Sequence, residues 1–260
     1  MSLSQHRHKK ALGQHFLHER GIIERILRAL APQPGQRIVE IGPGAGALTL
    51  PLLERHGELT VVEFDRDLIE PLREAAQGRG RLEIVHADVL EVDFTALAAG
   101  ERLRLVGNLP YNISSPILFH VLEHWAVIDD MVFMLQKEVV ERMAATPGSK
   151  VYGRLSVMLQ AYCRVDALFN VPPGAFRPPP KVDSAVVRLV PRAEGDVGIA
   201  DAARFEQVVR HAFAQRRKTL RNALAGVADE AALQAVGIEP GARAETVPVA
   251  RYVALANHLL

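Results

Sequence analysis

The chain has a single cysteine, Cys163, so no disulfide can close within it, and a reducing compartment, the cytoplasm, is expected. Aromatic residues make up only 5% of the 260 positions. No apolar run approaches the roughly 20 residues that a membrane-spanning helix needs, so no membrane partner is expected. The first ten residues are polar and basic, with no apolar stretch behind them, which is not the pattern of a secretory leader. His, Cys, Asp and Glu do not gather at ligand spacing, and no metal site is expected. A net charge of +1 excludes a general polycation, so any attachment to nucleic acid must rest on local patches.

Such patches are present. Between Met1 and His18 there is no acidic residue, while Arg7, Lys9 and Lys10 are basic. Between Arg210 and Arg221 five basic residues occur without an acid, among them Arg216, Arg217, Lys218 and Arg221, on what reads as one helix from His211 to Leu224. Each patch fits contact with phosphate, and each also fits a solvated helix face.

Hydrophobic residues at 48% and charged residues at 23% suit a globular chain of one large domain, or of a large and a small one. Apolar, β-branched runs alternate with helical patterns, which predicts an α/β, doubly wound, mostly parallel sheet. Strands are expected at Arg37 to Ile41, Leu59 to Glu63, Leu82 to Val85, Leu103 to Val106 and Met131 to Leu135, the last running into a helix from Gln136 to Ala144. Arg154 to Tyr162 reads as helix. Two more strands, Ala167 to Val171 and Ser184 to Val190, flank a loop stiffened by five prolines between Pro172 and Pro180. From Asp201 only helical patterns follow, giving a small all-helical domain at 199–260 behind a body at 19–191.

In doubly wound sheets ligands bind at the carboxyl ends of the strands. The first strand ends in Gly42-Pro43-Gly44-Ala45-Gly46, where the backbone can approach a ligand closely. Glu63 ends the second, placed to accept from both hydroxyls of a ribose; NAD and S-adenosylmethionine share that group. Asp88 follows the third, suited either to an adenine amine or to capping the next turn. The fourth leads into Asn108-Leu109-Pro110-Tyr111. An adenine amine is a poor nucleophile because its lone pair is delocalised into the ring. Acceptors on its N–H groups, the Asn108 side-chain oxygen and the Leu109 carbonyl, would favour a pyramidal nitrogen. Pro110 fixes the turn, and Tyr111 offers a face for a flipped base. A nicotinamide oxidoreductase leaves this motif unexplained.

Leu12-Gly13-Gln14-His15-Phe16-Leu17, Val39 to Gly44, Gly107 to Ser114, Phe133 to Arg142, Tyr152 to Val157, Pro178 to Val187 and Gln215 to Asn222 together resemble the small-subunit ribosomal RNA adenine dimethyltransferases, the KsgA/RsmA family, across nearly the whole chain. Related large-subunit rRNA methyltransferases share the fold and the target-amine motif, but Phe133 to Arg142 and Gln215 to Asn222 look more like the small-subunit family. The resemblance implies a Rossmann-like methyltransferase domain and S-adenosyl-L-methionine as methyl donor. It implies transfer to N6 of two adjacent adenosines in the 3′-terminal hairpin of 16S rRNA, within the 30S subunit or its precursor. A monomer is the default.

Carried over by residue, the resemblance implies that segment 1–18 joins the cofactor site through His15 and Leu17. Gly42 and Gly44 would line the cofactor, Glu63 would hold the ribose, Asp88 the cofactor adenine, and Asn108 would bridge cofactor and target amine. His15 stands where the family most often has Asn, so a backbone contact is expected to persist there. Phe176 resembles the aromatic covering the target base opposite Tyr111; its alternative is core packing. Arg216, Arg217, Lys218 and Arg221, with Lys9 and Lys10, would grip rRNA phosphate.

Overall fold

The computed structural model describes residues 15–260, apart from the side chain of Glu194. Lys9 and Lys10 lie outside the described residues. The chain divides into two compact units: one runs to Val140 and resumes over Asp166–Pro191, and the other comprises Glu141–Val165 and Arg192–Leu260. The second unit therefore takes in the segment around the Arg154 helix, which the sequence boundary at 191 assigned to the body.

In the first unit, strands β1 (Phe16–Leu17), β2 (Arg37–Ile41), β3 (Glu58–Glu63), β4 (Arg81–His86), β5 (Leu103–Asn108) and β6 (Ile128–Gln136) alternate with helices α1 (Arg20–Leu30), α2 (Thr49–His56), α3 (Arg66–Ala76), α4 (Phe94–Ala98) and α5 (Ser114–Glu123). Further along the chain come α6 (Lys137–Met143), α7 (Arg154–Tyr162), β7 (Cys163–Val171), β8 (Phe176–Arg177) and β9 (Ser184–Pro191). The main sheet has the order β4-β3-β2-β5-β6-β9-β7, with the neighbours from β4 to β6 parallel and β9 antiparallel to β6. The order reverses between β2 and β5, which opens a crevice at their carboxyl ends. A separate pair, β1 with β8, sets Leu17 opposite Phe176.

Alternation along the strands decides what is buried where. Ile38, Val61, Val106 and Val132 share one core with Ile22, Ile26, Leu27 and Leu30 of α1 and with Leu52 and Leu53 of α2. The Glu19 carboxylate caps α1 by accepting from the N–H groups of Gly21 at 3.0 Å and Ile22 at 2.6 Å. At its other end a buried ion pair holds the helix to the sheet. The Arg104 guanidinium donates through Nε to Asp130 Oδ1 at 2.6 Å and through Nη2 to Oδ2 at 2.9 Å. It also donates to the Leu30 carbonyl and to Gln36 Oε1.

In the second unit α9 (Ala202–Ala214) buries Phe205, Val208, Val209 and Ala212 along one face. It is preceded by the short α8 (Glu194–Val197) and followed by α10 (Leu220–Ala223), α11 (Glu230–Ala235) and α12 (Val249–His258). Tyr152 and Tyr252 are fully buried and donate their hydroxyls to the carbonyls of Val247 and Ala244. The single helix expected from His211 to Leu224 is corrected: α9 stops at Ala214. The N–H groups of Leu220 and Arg221 donate to the carbonyls of Ala242 and Pro240, so they are not available to carry one helix through. Among the described residues no helix is long and apolar enough to cross a membrane.

Asp130 also pairs with Arg188 at 2.7 Å, so removing its carboxylate leaves the buried Arg104 charge and Arg188 without their anion. Asp130→Ala is expected to cost about 3–5 kcal/mol in equilibrium urea unfolding. Glu70→Ala, which breaks an exposed pair with Arg73, costs at most about 1 kcal/mol.

Candidate active site

A cavity of about 280 Å³ sits at the carboxyl ends of β2, β3 and β5, where the strand order reverses. Gly42 and Gly44 turn the backbone through positive φ values of 67° and 55°, a conformation that L side chains seldom take. The Gly42 N–H donates to the Val62 carbonyl at 2.9 Å. A side chain at Gly42 would begin 4.0 Å from the Asn108 carbonyl oxygen, and one at Gly44 would press on the Phe16 ring at 3.1 Å. The loop after β2 and the end of β5 therefore form adjoining walls.

Glu63 ends β3 and is buried. Its Oε2 accepts from the Gly44 N–H at 3.2 Å and its Oε1 from the Asp65 N–H at 2.7 Å. Burial raises its pKa, and these backbone donors oppose the rise. Each oxygen has a further lone pair for hydroxyl donors. The Asp88 Oδ1 accepts from the Leu90 N–H at 3.0 Å, so Asp88 does cap the next turn while also lining the cavity. Phe64, directly after Glu63, is 58% exposed although large and apolar, and it lines the same cavity. Sequence reasoning passed over it; an apolar residue directly behind a strand-end acid was the available signal.

Asn108 ends β5. Its side-chain Nδ2 donates to the His15 carbonyl at 2.9 Å, which leaves Oδ1 as the atom free to accept a donor. The Leu109 N–H donates to the Met134 carbonyl at 3.0 Å, fixing the turn before Pro110. The Tyr111 hydroxyl is hydrogen-bonded to Ser184 Oγ, and burial raises the Tyr111 pKa. The His15 ring stacks on Tyr111 with centroids 5.5 Å apart and planes at 28°, and its Nδ1 lies 2.8 Å from the Pro178 carbonyl oxygen. The main-chain contact that residue 15 makes here is with the Asn108 side chain.

The structure brings His15, Leu17, Gly42, Gly44, Glu63, Asp88, Asn108, Leu109, Pro110 and Tyr111 to one cavity. It does not bring Phe176 there: that ring is 1% exposed, in the core with Leu17, so core packing describes its surroundings. The basic residues divide. Arg216 donates through Nη2 to the carbonyls of Lys150 and Tyr152, both at 3.0 Å, and Arg221 pairs with Glu230 at 3.4 Å, while Arg217 and Lys218 face solvent. The expectation that no His/Asp/Glu cluster has ligand spacing is also corrected, because His120, Glu123 and His124 stand within ligand distance of one another. There the rings pack on Phe94, and His120 and His124 are hydrogen-bonded to the Val92 carbonyl and Thr95.

Glu40, next to last in β2 and lining the cavity, was not foreseen. It is buried, accepts the Thr49 hydroxyl at 2.6 Å, and burial pushes its pKa up to about 8, with a smaller contribution from the Glu63 charge. A carboxyl raised in this way keeps its proton in the folded chain from about pH 4.5 to pH 8, where the unfolded chain has lost it. Stability therefore falls as pH rises through that window. Glu40→Gln, which can still accept from Thr49, removes the dependence. In thermal melts the variant's Tm advantage over the wild type should grow from pH 5 to pH 8.

Comparison with known proteins supplies the family. The family model for ribosomal RNA adenine dimethylase matches residues 5–260. The ribosomal RNA small subunit methyltransferase A of Xanthomonas campestris pv. campestris is 68% identical over 249 residues, covering 96% of this chain and 95% of that protein. That of Xanthomonas oryzae pv. oryzae is likewise 68% identical, with the same coverage. Among solved structures, a dimethyladenosine transferase from Plasmodium falciparum superposes with a TM-score of 0.80 at 25% identity, over 93% of this chain and 96% of that one. The 23S rRNA methyltransferase ErmE does so with a TM-score of 0.71 at 30% identity, over 94% and 99%. The cavity at the strand switch, with its glycine turn and the buried Glu63 carboxylate, suits S-adenosylmethionine. The chain belongs to the ribosomal RNA adenine dimethylase family.

Proposed function

We propose that this chain transfers methyl groups from S-adenosylmethionine to N6 of two adjacent adenosines in the 3′-terminal hairpin loop of 16S rRNA, giving N6,N6-dimethyladenosine during 30S subunit biogenesis in the cytoplasm. The observation that carries this reading is the orientation of Asn108. Its amide N–H is committed to the His15 carbonyl, so its oxygen is presented as an acceptor at the end of β5, beside the carbonyl of Leu109 and the ring of Tyr111.

Glu63 would hold the ribose of the methyl donor, Asp88 its adenine through the oxygen not used in the cap, and Phe64 would lie against that adenine. Gly42 and Gly44 would admit the methionine part close to the main chain, with His15 and Leu17 closing the side toward β1. The donor supplies an electrophilic methyl on a sulfonium. The chain's own contribution is positioning: Asn108 Oδ1 and the Leu109 carbonyl accept from the target amine, localise its lone pair and stabilise the positive charge that develops on nitrogen. After transfer that nitrogen is acidic enough to release its proton to water, so no strong general base is needed. Tyr111, with its hydroxyl tied to Ser184, supplies a fixed face for the flipped base. Of the basic residues singled out in the sequence, Arg217 and Lys218 are exposed to phosphate, whereas Lys9 and Lys10 lie beyond the described residues and Arg216 and Arg221 are already engaged within the chain. The enzyme would act as a monomer.

The test is methyl incorporation from labelled S-adenosylmethionine into under-methylated small subunits, with large subunits and free rRNA in parallel, followed by nucleoside analysis. Dimethyladenosine on small subunits alone is expected. Labelling of large subunits would point to the ErmE-like reaction, and no transfer to RNA would end the catalytic reading. Asn108→Ala should lower kcat by about 10²–10³. The Arg217→Ala/Lys218→Ala pair should weaken RNA binding and flatten the slope of log affinity against log salt by about 1–2 units.

A further inference from the structure

The ring of His15 stacks on that of Tyr111, and both residues line the cavity that Asn108 also lines. Stacked carbons sit about 3.5 Å apart, so a base held between two rings needs their centroids about 7 Å apart. His15 and Tyr111 are at 5.5 Å, and no base fits between them. Tyr111 cannot turn aside without losing its bond to Ser184. The imidazole is held by its own bond to the Pro178 carbonyl and by the two-residue pairing of β1 with β8. What must move is therefore the ring of His15, and it can move while its carbonyl continues to accept from Asn108.

We propose that His15 is a placeholder for the target base. In the RNA-free enzyme its imidazole covers the stacking face of Tyr111, the flipped adenine displaces it, and the side chain at position 15 sets how tightly the enzyme takes up its RNA. This rests on the reading of Asn108 and Tyr111 as the target-amine site. The carbonyl of residue 15 and its side chain have separate duties: the first orients Asn108, and the second guards Tyr111.

The experiment uses full-length His15→Gly, which removes the ring and keeps the carbonyl, and His15→Gln, which also keeps an N–H for the Pro178 carbonyl. His15→Trp supplies a larger ring that is harder to displace. Steady-state KM and kcat are measured on under-methylated small subunits at saturating S-adenosylmethionine, and affinity for S-adenosylhomocysteine is measured by calorimetry. Gly and Gln should lower KM for the particle at least threefold, Trp should raise it at least threefold, and S-adenosylhomocysteine affinity should change by less than KM does. If Gly and Gln raise KM or leave it unaltered, His15 is not a placeholder. A change confined to S-adenosylhomocysteine affinity also overturns the proposal and makes the ring a cofactor contact. Asn108→Ala, assayed alongside, separates the two failures: full activity in that variant sinks the target-site reading and the placeholder with it, whereas its inactivity with an unmoved KM in His15→Gly sinks the placeholder alone.

Discussion

Strands β2 and β5 come together so closely at their carboxyl ends that no side chain fits between them. A Cβ at Gly107 would lie 2.5 Å from the Ile41 carbonyl oxygen, a contact against main chain that nothing can relieve by rotating. With glycine there, the two strands stay in register from Arg37 opposite Leu103 to Glu40 opposite Val106, and Asn108 emerges beside the turn at Gly42. The cavity wall and the placement of the Asn108 side-chain oxygen both inherit that spacing. Any residue larger than glycine would push β5 away from β2 and move Asn108 with it.

Electrostatics at the same place follow from how each carboxyl is solvated. Glu63 and Glu40 are both buried and both shifted toward protonation, yet they differ in what surrounds them. Glu63 receives two backbone N–H donors, which support the ionised form at a point where hydroxyl groups would also donate. Glu40 receives one hydroxyl and is fully enclosed, which favours the neutral acid. Two carboxyls on neighbouring strands can share a pocket because one of them gives up its charge.

Most of the sheet was legible from alternation and from residues at strand ends. The glycine turn, Glu63, Asp88 and Asn108 to Tyr111 were each found by their place after a strand, and the structure gathers them at one cavity. What was not legible depended on partners distant in sequence. Nothing near His211 to Leu224 announces that the N–H groups of Leu220 and Arg221 will turn to carbonyls at 240–242 and break the helix. Arg216 reads as a surface cation until the carbonyls of Lys150 and Tyr152 fold against it. Phe176 looks like a site aromatic by its neighbours in sequence, but its pairing with Leu17 takes it into the core. Glu40 was hidden because an acid within an apolar strand is read as a facing residue, and its enclosure is a property of the packed cavity.

The bond from Asn108 to residue 15 ends on a main-chain oxygen, an atom that every amino acid owns. The aim of the Asn108 amide is therefore indifferent to which side chain position 15 carries, and that position is released to drift or to be tuned. A different side chain at position 15 would change what covers Tyr111 while the Asn108 amide keeps its partner. Two jobs commonly entangled in one side chain, covering a neighbouring ring and orienting a neighbouring amide, are here divided between the ring and the main chain of one residue.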